Sequence, residues 1–118
     1  MLPVELTDAG VMIIRLQGDL DIDSRAMVAW EIDSLVSSHR PSSVVLELHG
    51  PAIGPAAVST IARTDRLCAQ SQLPCAVVSG HSDTRRALLA HAGTRGPGVY
   101  DTLSLAVAAV SPAIQAAA

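Results

Sequence analysis

The sequence predicts an α/β domain: a mixed, mostly parallel sheet of four to five strands with about four helices. Three observations point there. Strand-like runs at Val11–Gln17, Ser43–Leu48 and Pro74–Val78 are separated by segments with helical periodicity. Val44, Val45 and Leu46 form an unbroken apolar run, the pattern of a parallel strand covered on both faces. Helical crossovers between strands imply parallel pairing and right-handed connections.

Taken in order, Pro3–Leu6 reads as a short first strand, and Asp8-Ala9-Gly10 as the turn into Val11–Gln17. In that second strand Met12, Ile14 and Leu16 alternate with Arg15 and Gln17. The first pair therefore forms an antiparallel hairpin at one edge. Gly18 ends the strand, and Asp23 or Ser24 is the expected cap of a helix running to about Ser38. Val28, Ile32, Leu35 and Val36 share one apolar stripe of that helix, with Trp30 nearly opposite. Pro41 stops it.

After the strand ending at Leu48, a helix is expected over Pro55–Ser71, with Pro55 suited to its first turn. Val58, Ile61, Ala62 and Ala69 are placed on one side, Cys68 near them, and Leu67 off that face. Pro74 opens the next strand, where a proline is tolerated. Ser82 or Asp83 is the expected cap of a helix over Thr84–Ala92, with Leu88 and Leu89 as its core contacts. Gly93, Gly96 and Gly98 interrupt the pattern. Val99-Tyr100 reads as a last short strand, and Asp101 or Thr102 starts a final helix through Val110. Pro112 and the alanine-rich end read as frayed surface.

The 118 residues suit one domain spanning 1–118, with a core at about 5–110. Apolar residues make up 49% and charged residues 16%, so some apolar side chains are expected at the surface. The net charge of −3 and the thin basic grouping of Arg85, Arg86 and Arg95 argue against nucleic-acid binding. The start lacks a basic region followed by an apolar run, and Leu103–Ala118 is too broken to span a bilayer. The expectation is a cytoplasmic chain without direct membrane contact. Cys68 and Cys75 sit in apolar contexts and read as reduced core thiols.

Chemistry-bearing patterns are sparse. Asp19, Asp21 and Asp23 alternate, but a calcium loop needs more ligands and a closing glutamate; a solvated turn with a helix cap is the plain reading. Glu47 and His49 share a strand face, yet no serine or cysteine sits on a sharp turn after the strand. Polar lining of the sheet's carboxyl end is the simpler account. His39, His81 and His91 lack metal-ligand spacing. No cofactor is expected: the phosphate-binding fingerprints G-x-G-x-x-G and G-x-x-x-x-G-K-[ST] are missing. Trp30 is a candidate exposed anchor, since tryptophan is enriched at binding hot spots. Arg85 and Arg86 read as paired locally with Asp83 on a wet surface.

The junction Leu46–Thr60, LELHGPAIGPAAVST, is where such a domain meets a ligand or partner. Three stretches together resemble the STAS domain, the fold of bacterial anti-sigma factor antagonists. Gly18-Asp19-Leu20-Asp21-Ile22 resembles the family's Gly-Glu-Leu-Asp-hydrophobic stretch. Val44-Val45-Leu46-Glu47-Leu48-His49-Gly50 resembles its Val-Leu-Asp-Leu-Ser-Gly strand, and the apolar helix near Val58 follows in the same order. The resemblance implies a non-enzymatic interaction module whose partner is an anti-sigma factor of the kinase-like ATPase type. It places partner contacts at Asp21, Asp23, Ser24, His49, Gly54, Pro55, Ala56, Ser59, Thr60 and Arg63.

This chain departs from the family at the phosphoacceptor. The family's Asp-Ser-Ser-Gly-Leu falls on Gly54–Val58 with a one-residue deletion, or on Pro55–Ser59 without it. Pro55, Ala56 and Ala57 carry no hydroxyl there. The usual phosphate switch is therefore expected to be absent, with Ser59 or Thr60 as displaced acceptors or ordinary helix residues. Other expectations are a structural STAS subunit of a lipid-transport or stress-signalling assembly, a homodimer, and, more remotely, a small nucleotide-binding or enzymatic domain with a pocket near His49 and His81.

Overall fold

The computed structural model describes residues 3–50, 52–92 and 97–111. The elements run β1 (Val4–Leu6), β2 (Val11–Gln17), α1 (Ile22–His39), β3 (Ser43–His49), α2 (Pro55–Gln70), β4 (Cys75–Val78), α3 (Ser82–Ala92), β5 (Gly98–Tyr100) and α4 (Leu103–Val110). The sheet order is β1-β2-β3-β4-β5, with β1 antiparallel to β2 and every later pair parallel. This is the mixed five-stranded sheet with four helices that the periodicity predicts. Gly93, Arg95, Gly96 and Pro112 with the alanine-rich end lie outside the described residues.

Successive parallel strands advance in one direction across the sheet. Right-handed crossovers therefore put every connecting helix on the same face. The core follows that rule. Met12, Ile14, Leu16, Val44, Leu46, Leu48 and Val77 meet Val28, Ile32 and Val36 of α1, Ile61 and Cys68 of α2, and Leu88 of α3. No strand follows α4 among the described residues, so this helix is not bound by the rule. It covers the opposite face, where Ala106 and Val110 pack on Val11, Ile13, Val45, Ala76 and Val78. β2 and β3 are consequently buried on both faces, which accounts for their near-continuous apolar sequences.

Several details differ from the periodicity. Asp21, rather than Asp23 or Ser24, caps α1: its Oδ1 accepts from the Asp23 amide at 2.7 Å. The helix ends with Arg40 in the left-handed region (φ 46°), its amide donating to Val36 O at 3.0 Å. α3 begins at Ser82 rather than Thr84. Leu89 is 53% exposed, and Leu88 alone of the two adjacent leucines packs in the core. On α2 the inward face is Ala56, Ala57, Thr60, Ile61, Thr64 and Cys68, so Ala62 and Ala69 are solvent-facing. Two threonines enter that face because each hydroxyl is satisfied within its own helix, Thr60 Oγ1 donating to Ala56 O and Thr64 Oγ1 to Thr60 O, both at 2.8 Å. Leu67, expected off the apolar face of this helix, packs half-buried against the core.

Cys68 and Cys75 are free thiols at the α2–β4 connection, Cys68 fully buried and Cys75 partly so. The two thiols are near enough to act on each other's ionisation.

Candidate functional site

The carboxyl ends of β2 and β3 are adjacent and parallel, so the loops that leave them rise side by side. Two backbone hydrogen bonds join these loops. Gly18 N donates to His49 O at 2.9 Å, and Gly54 N donates to Gly18 O at 2.8 Å. The approach is close enough that a Cβ on Gly18 would collide with the Ala52 carbonyl oxygen. The 18–24 stretch and residues 49–50 and 52–54 therefore form one rim, with Asp21, Asp23, Ser24 and His49 exposed on it.

α2 starts from this rim. Its N-cap is Gly54 (φ −101°, ψ 171°), which offers no side-chain acceptor, and its first turn holds no acidic residue. Among the described residues the positive end of the helix has no side-chain cap. Pro55, at the first helical position, is exposed. Ala56 and Ala57 are buried, at 2% and 0% exposure, and Thr60 at 1%. That corrects the expectation of surface contacts at Ala56 and Thr60. Thr60 is also closed as a displaced acceptor, because its hydroxyl is buried and bonded to Ala56 O. Ser59 is half-buried and lines a cleft between α1 and α2. Arg63, one helical turn beyond Ser59, donates from Nη2 to Asp33 Oδ2 at 2.7 Å.

Glu47 and His49 do share a face, the one that α4 covers further back. Glu47 Oε1 accepts from Arg15 Nε at 3.0 Å and lies 3.2 Å from His49 Nε2, while Arg15 also reaches Glu5 at 3.9 Å. The carboxylate is engaged by two partners in a polar network along three strands, which is the sheet-end lining the sequence suggested. His81 is exposed, and its backbone amide donates to Ser79 Oγ at 3.2 Å. Among the described residues no three His, Cys, Asp or Glu side chains converge as a metal site, and no helix is long and apolar enough to cross a membrane.

Trp30 is 68% exposed on α1, with Ile22 at 65% and Met27 at 66%. The helix is apolar on two faces, one against the sheet and one toward solvent. Arg25 and Arg66, which sequence reasoning passed over, line the α1–α2 cleft with Arg63. The available signal was spacing: Arg25, Ala29 and Asp33 recur every four residues, so they form one ridge of α1.

No family model matches the chain, and no curated protein matches it in sequence. Solved structures do match. A Ser-to-Glu variant of RsbS from Moorella thermoacetica superposes with a TM-score of 0.76 at 14% identity, covering 97% of each chain. An anti-sigma factor antagonist from Mycobacterium paratuberculosis gives 0.67 at 21% identity, over 93% of this chain and 92% of that one. The unphosphorylated anti-sigma factor antagonist SpoIIAA gives 0.65 at 14% identity, over 89% and 92%. The fold is the STAS fold. It spans nearly the whole of each compared chain.

Proposed function

We propose that this STAS domain is a non-enzymatic docking module that binds an anti-sigma factor of the kinase-like ATPase type and so frees a sigma factor, acting in the cytoplasm and without a phosphate switch at the usual position. One observation carries the reading. The start of α2 sits on the rim made by the β2 and β3 loops, and Gly54-Pro55-Ala56-Ala57 presents no hydroxyl there. A phosphate at such a helix start would add roughly −1.5 to −2 charges and three acceptor oxygens. Proline and alanine cannot take one, so docking here is constitutive and set by abundance. The exposed rim residues Asp21, Asp23, Ser24, His49 and Pro55, with Ser59 and Arg63 beyond them, form the contact surface.

Titration calorimetry with a purified kinase-type anti-sigma factor, followed by incubation with ATP and intact-mass measurement, tests this. The expected result is a complex whose STAS subunit keeps its unmodified mass. Failure to form the complex, or phosphate on Ser59, overturns it.

A second reading, a fixed subunit of a lipid-transport or stress-signalling assembly, is favoured by the exposed Ile22, Met27 and Trp30, which permanent burial in a complex would cover. Co-purification of the tagged protein from its own cells with a membrane transport complex, in place of a small ATPase, would select it.

A further inference from the structure

All eight basic side chains other than histidine are arginines, and three of them meet along one seam. α1 and α2 lie side by side, and their junction opens into a cleft of about 340 Å³ lined by Arg25, Ala26, Ala29, Ser59, Arg63 and Arg66. A second cleft of about 320 Å³ shares Arg63 and Arg66 and continues along the helices to Gln70. The two make one trough. Its floor on the α1 side is alanine, which leaves depth between the guanidinium groups.

Asp33 is the one carboxylate lining the trough among the described residues, and it is taken by Arg63. Arg25 and Arg66 have no ion-pair partner among the described residues. Two unneutralised guanidiniums therefore share a narrow trough on a chain whose net charge is −3. Like charges held together repel, and a planar guanidinium presents its donors in a fork that matches a carboxylate. Alongside the trough, Ile22, Ala26 and Trp30 recur every four residues and form the next ridge of α1, with Ile22 and Trp30 exposed. Cationic trough and apolar ridge run parallel on one surface.

We propose that this seam receives an acidic segment of a protein partner, its carboxylates paired with Arg25 and Arg66 and an apolar neighbour packed on Ile22 and Trp30. The proposal rests on the reading of this face as a docking surface and adds the chemistry of what docks. Charge complementarity selects the occupant: a basic segment would meet two free guanidiniums, and an uncharged one would leave them desolvated and unpaired.

The probe is a short synthetic peptide of alternating glutamate and leucine, with its lysine-for-glutamate counterpart as control. Binding is read by Trp30 fluorescence and by amide shifts in the isotope-labelled full chain. The expected result is saturable binding of the acidic peptide alone, a blue shift of Trp30, and shifts centred on Ala26, Ala29, Ser59 and Arg63. Arg25→Glu and Arg66→Glu should each weaken it about ten-fold, the loss of a charge-assisted hydrogen bond, and added salt should weaken it further. Circular dichroism confirms that the exposed-site variants fold. No binding, shifts centred on Arg85 and Arg86, or unchanged affinity in the arginine variants overturns the proposal.

The purified anti-sigma factor separates the two readings. If the Arg25→Glu/Arg66→Glu variant binds it as well as the parent while Pro55→Asp does not, the seam proposal fails and the docking face stands. If the arginine variant loses binding, the acidic-segment proposal is supported. If neither variant loses binding, the seam proposal fails and the rim is not the contact surface; if the parent chain itself does not bind, the docking reading fails.

Discussion

The amide of Gly54 donates to the carbonyl oxygen of Gly18 over 2.8 Å, tying the start of α2 to the end of β2 across more than thirty positions of sequence. That bond exists because Gly18 has no side chain. An added Cβ would drive into the Ala52 carbonyl oxygen, a backbone atom that cannot swing aside.

Gly18→Ala should therefore force the two rim loops apart and cost about 1–3 kcal/mol, as overpacking does. Gly54→Ala is the control: its Cβ would lie 3.7 Å from the Gly18 carbonyl oxygen, an ordinary contact, and the loss should stay below about 1 kcal/mol. Urea midpoints of the two variants check the ordering. Equal losses would mean that the close approach at Gly18 does not hold the rim.

Trp30 should emit close to the wavelength of the unfolded chain and be readily quenched by acrylamide, since it is 68% exposed. Trp30→Ala should leave stability within about 0.5 kcal/mol. A strongly blue-shifted native spectrum in the free monomer would place the ring in a packed environment and remove it from the docking surface.

The thiol pair predicts an alkaline loss of stability. Cys75 is pushed well above the usual thiol range, first by the neighbouring Cys68 thiol and then because burial disfavours a thiolate. Cys68 moves the other way through the same pairing. Unfolded thiols ionise near pH ~8.5, so above that the unfolded chain releases a proton that folded Cys75 keeps. The contribution is whole below about pH 8.5 and shrinks as pH rises beyond it, by up to about 1.4 kcal/mol per unit. The chain contains no lysine to add a competing slope. Urea melts from neutral to alkaline pH should show the decline, and Cys75→Ala should flatten it.

Ser43 is fully buried at the start of β3, and its hydroxyl finds no hydrogen-bond partner among the described residues. Ser43→Ala removes an unsatisfied polar group for little loss of volume. The expected gain is about 1 kcal/mol, seen as a higher melting temperature. A loss of similar size would show that the hydroxyl is satisfied in solution.

Legibility followed the range of the interactions. β2 was readable to the residue because an apolar run bounded by Gly10 and Gly18 has one extended reading. The cap of α1 was misplaced by two or three positions: Asp21, Asp23 and Ser24 all carry suitable oxygens, and only the local backbone decides which one accepts. On α2, Thr60 and Thr64 look like solvent positions in a hydropathy pattern. They are buried because i−4 carbonyls inside the helix satisfy their hydroxyls. Arg25 and Arg66 were passed over because they lie far apart in sequence and become neighbours only when α1 and α2 pack together.

The order of strands and helices, the missing hydroxyl at Pro55, Ala56 and Ala57, and the apolar character of β2 and β3 were determined by the sequence alone, since each depends on residue type and short-range periodicity. The tertiary structure decided that α4 covers the far face, that Gly18 and Gly54 meet, and that three arginines share a trough. Those outcomes depend on crossover handedness and on packing between distant segments, where the geometry of the assembled sheet determines which side chains become neighbours.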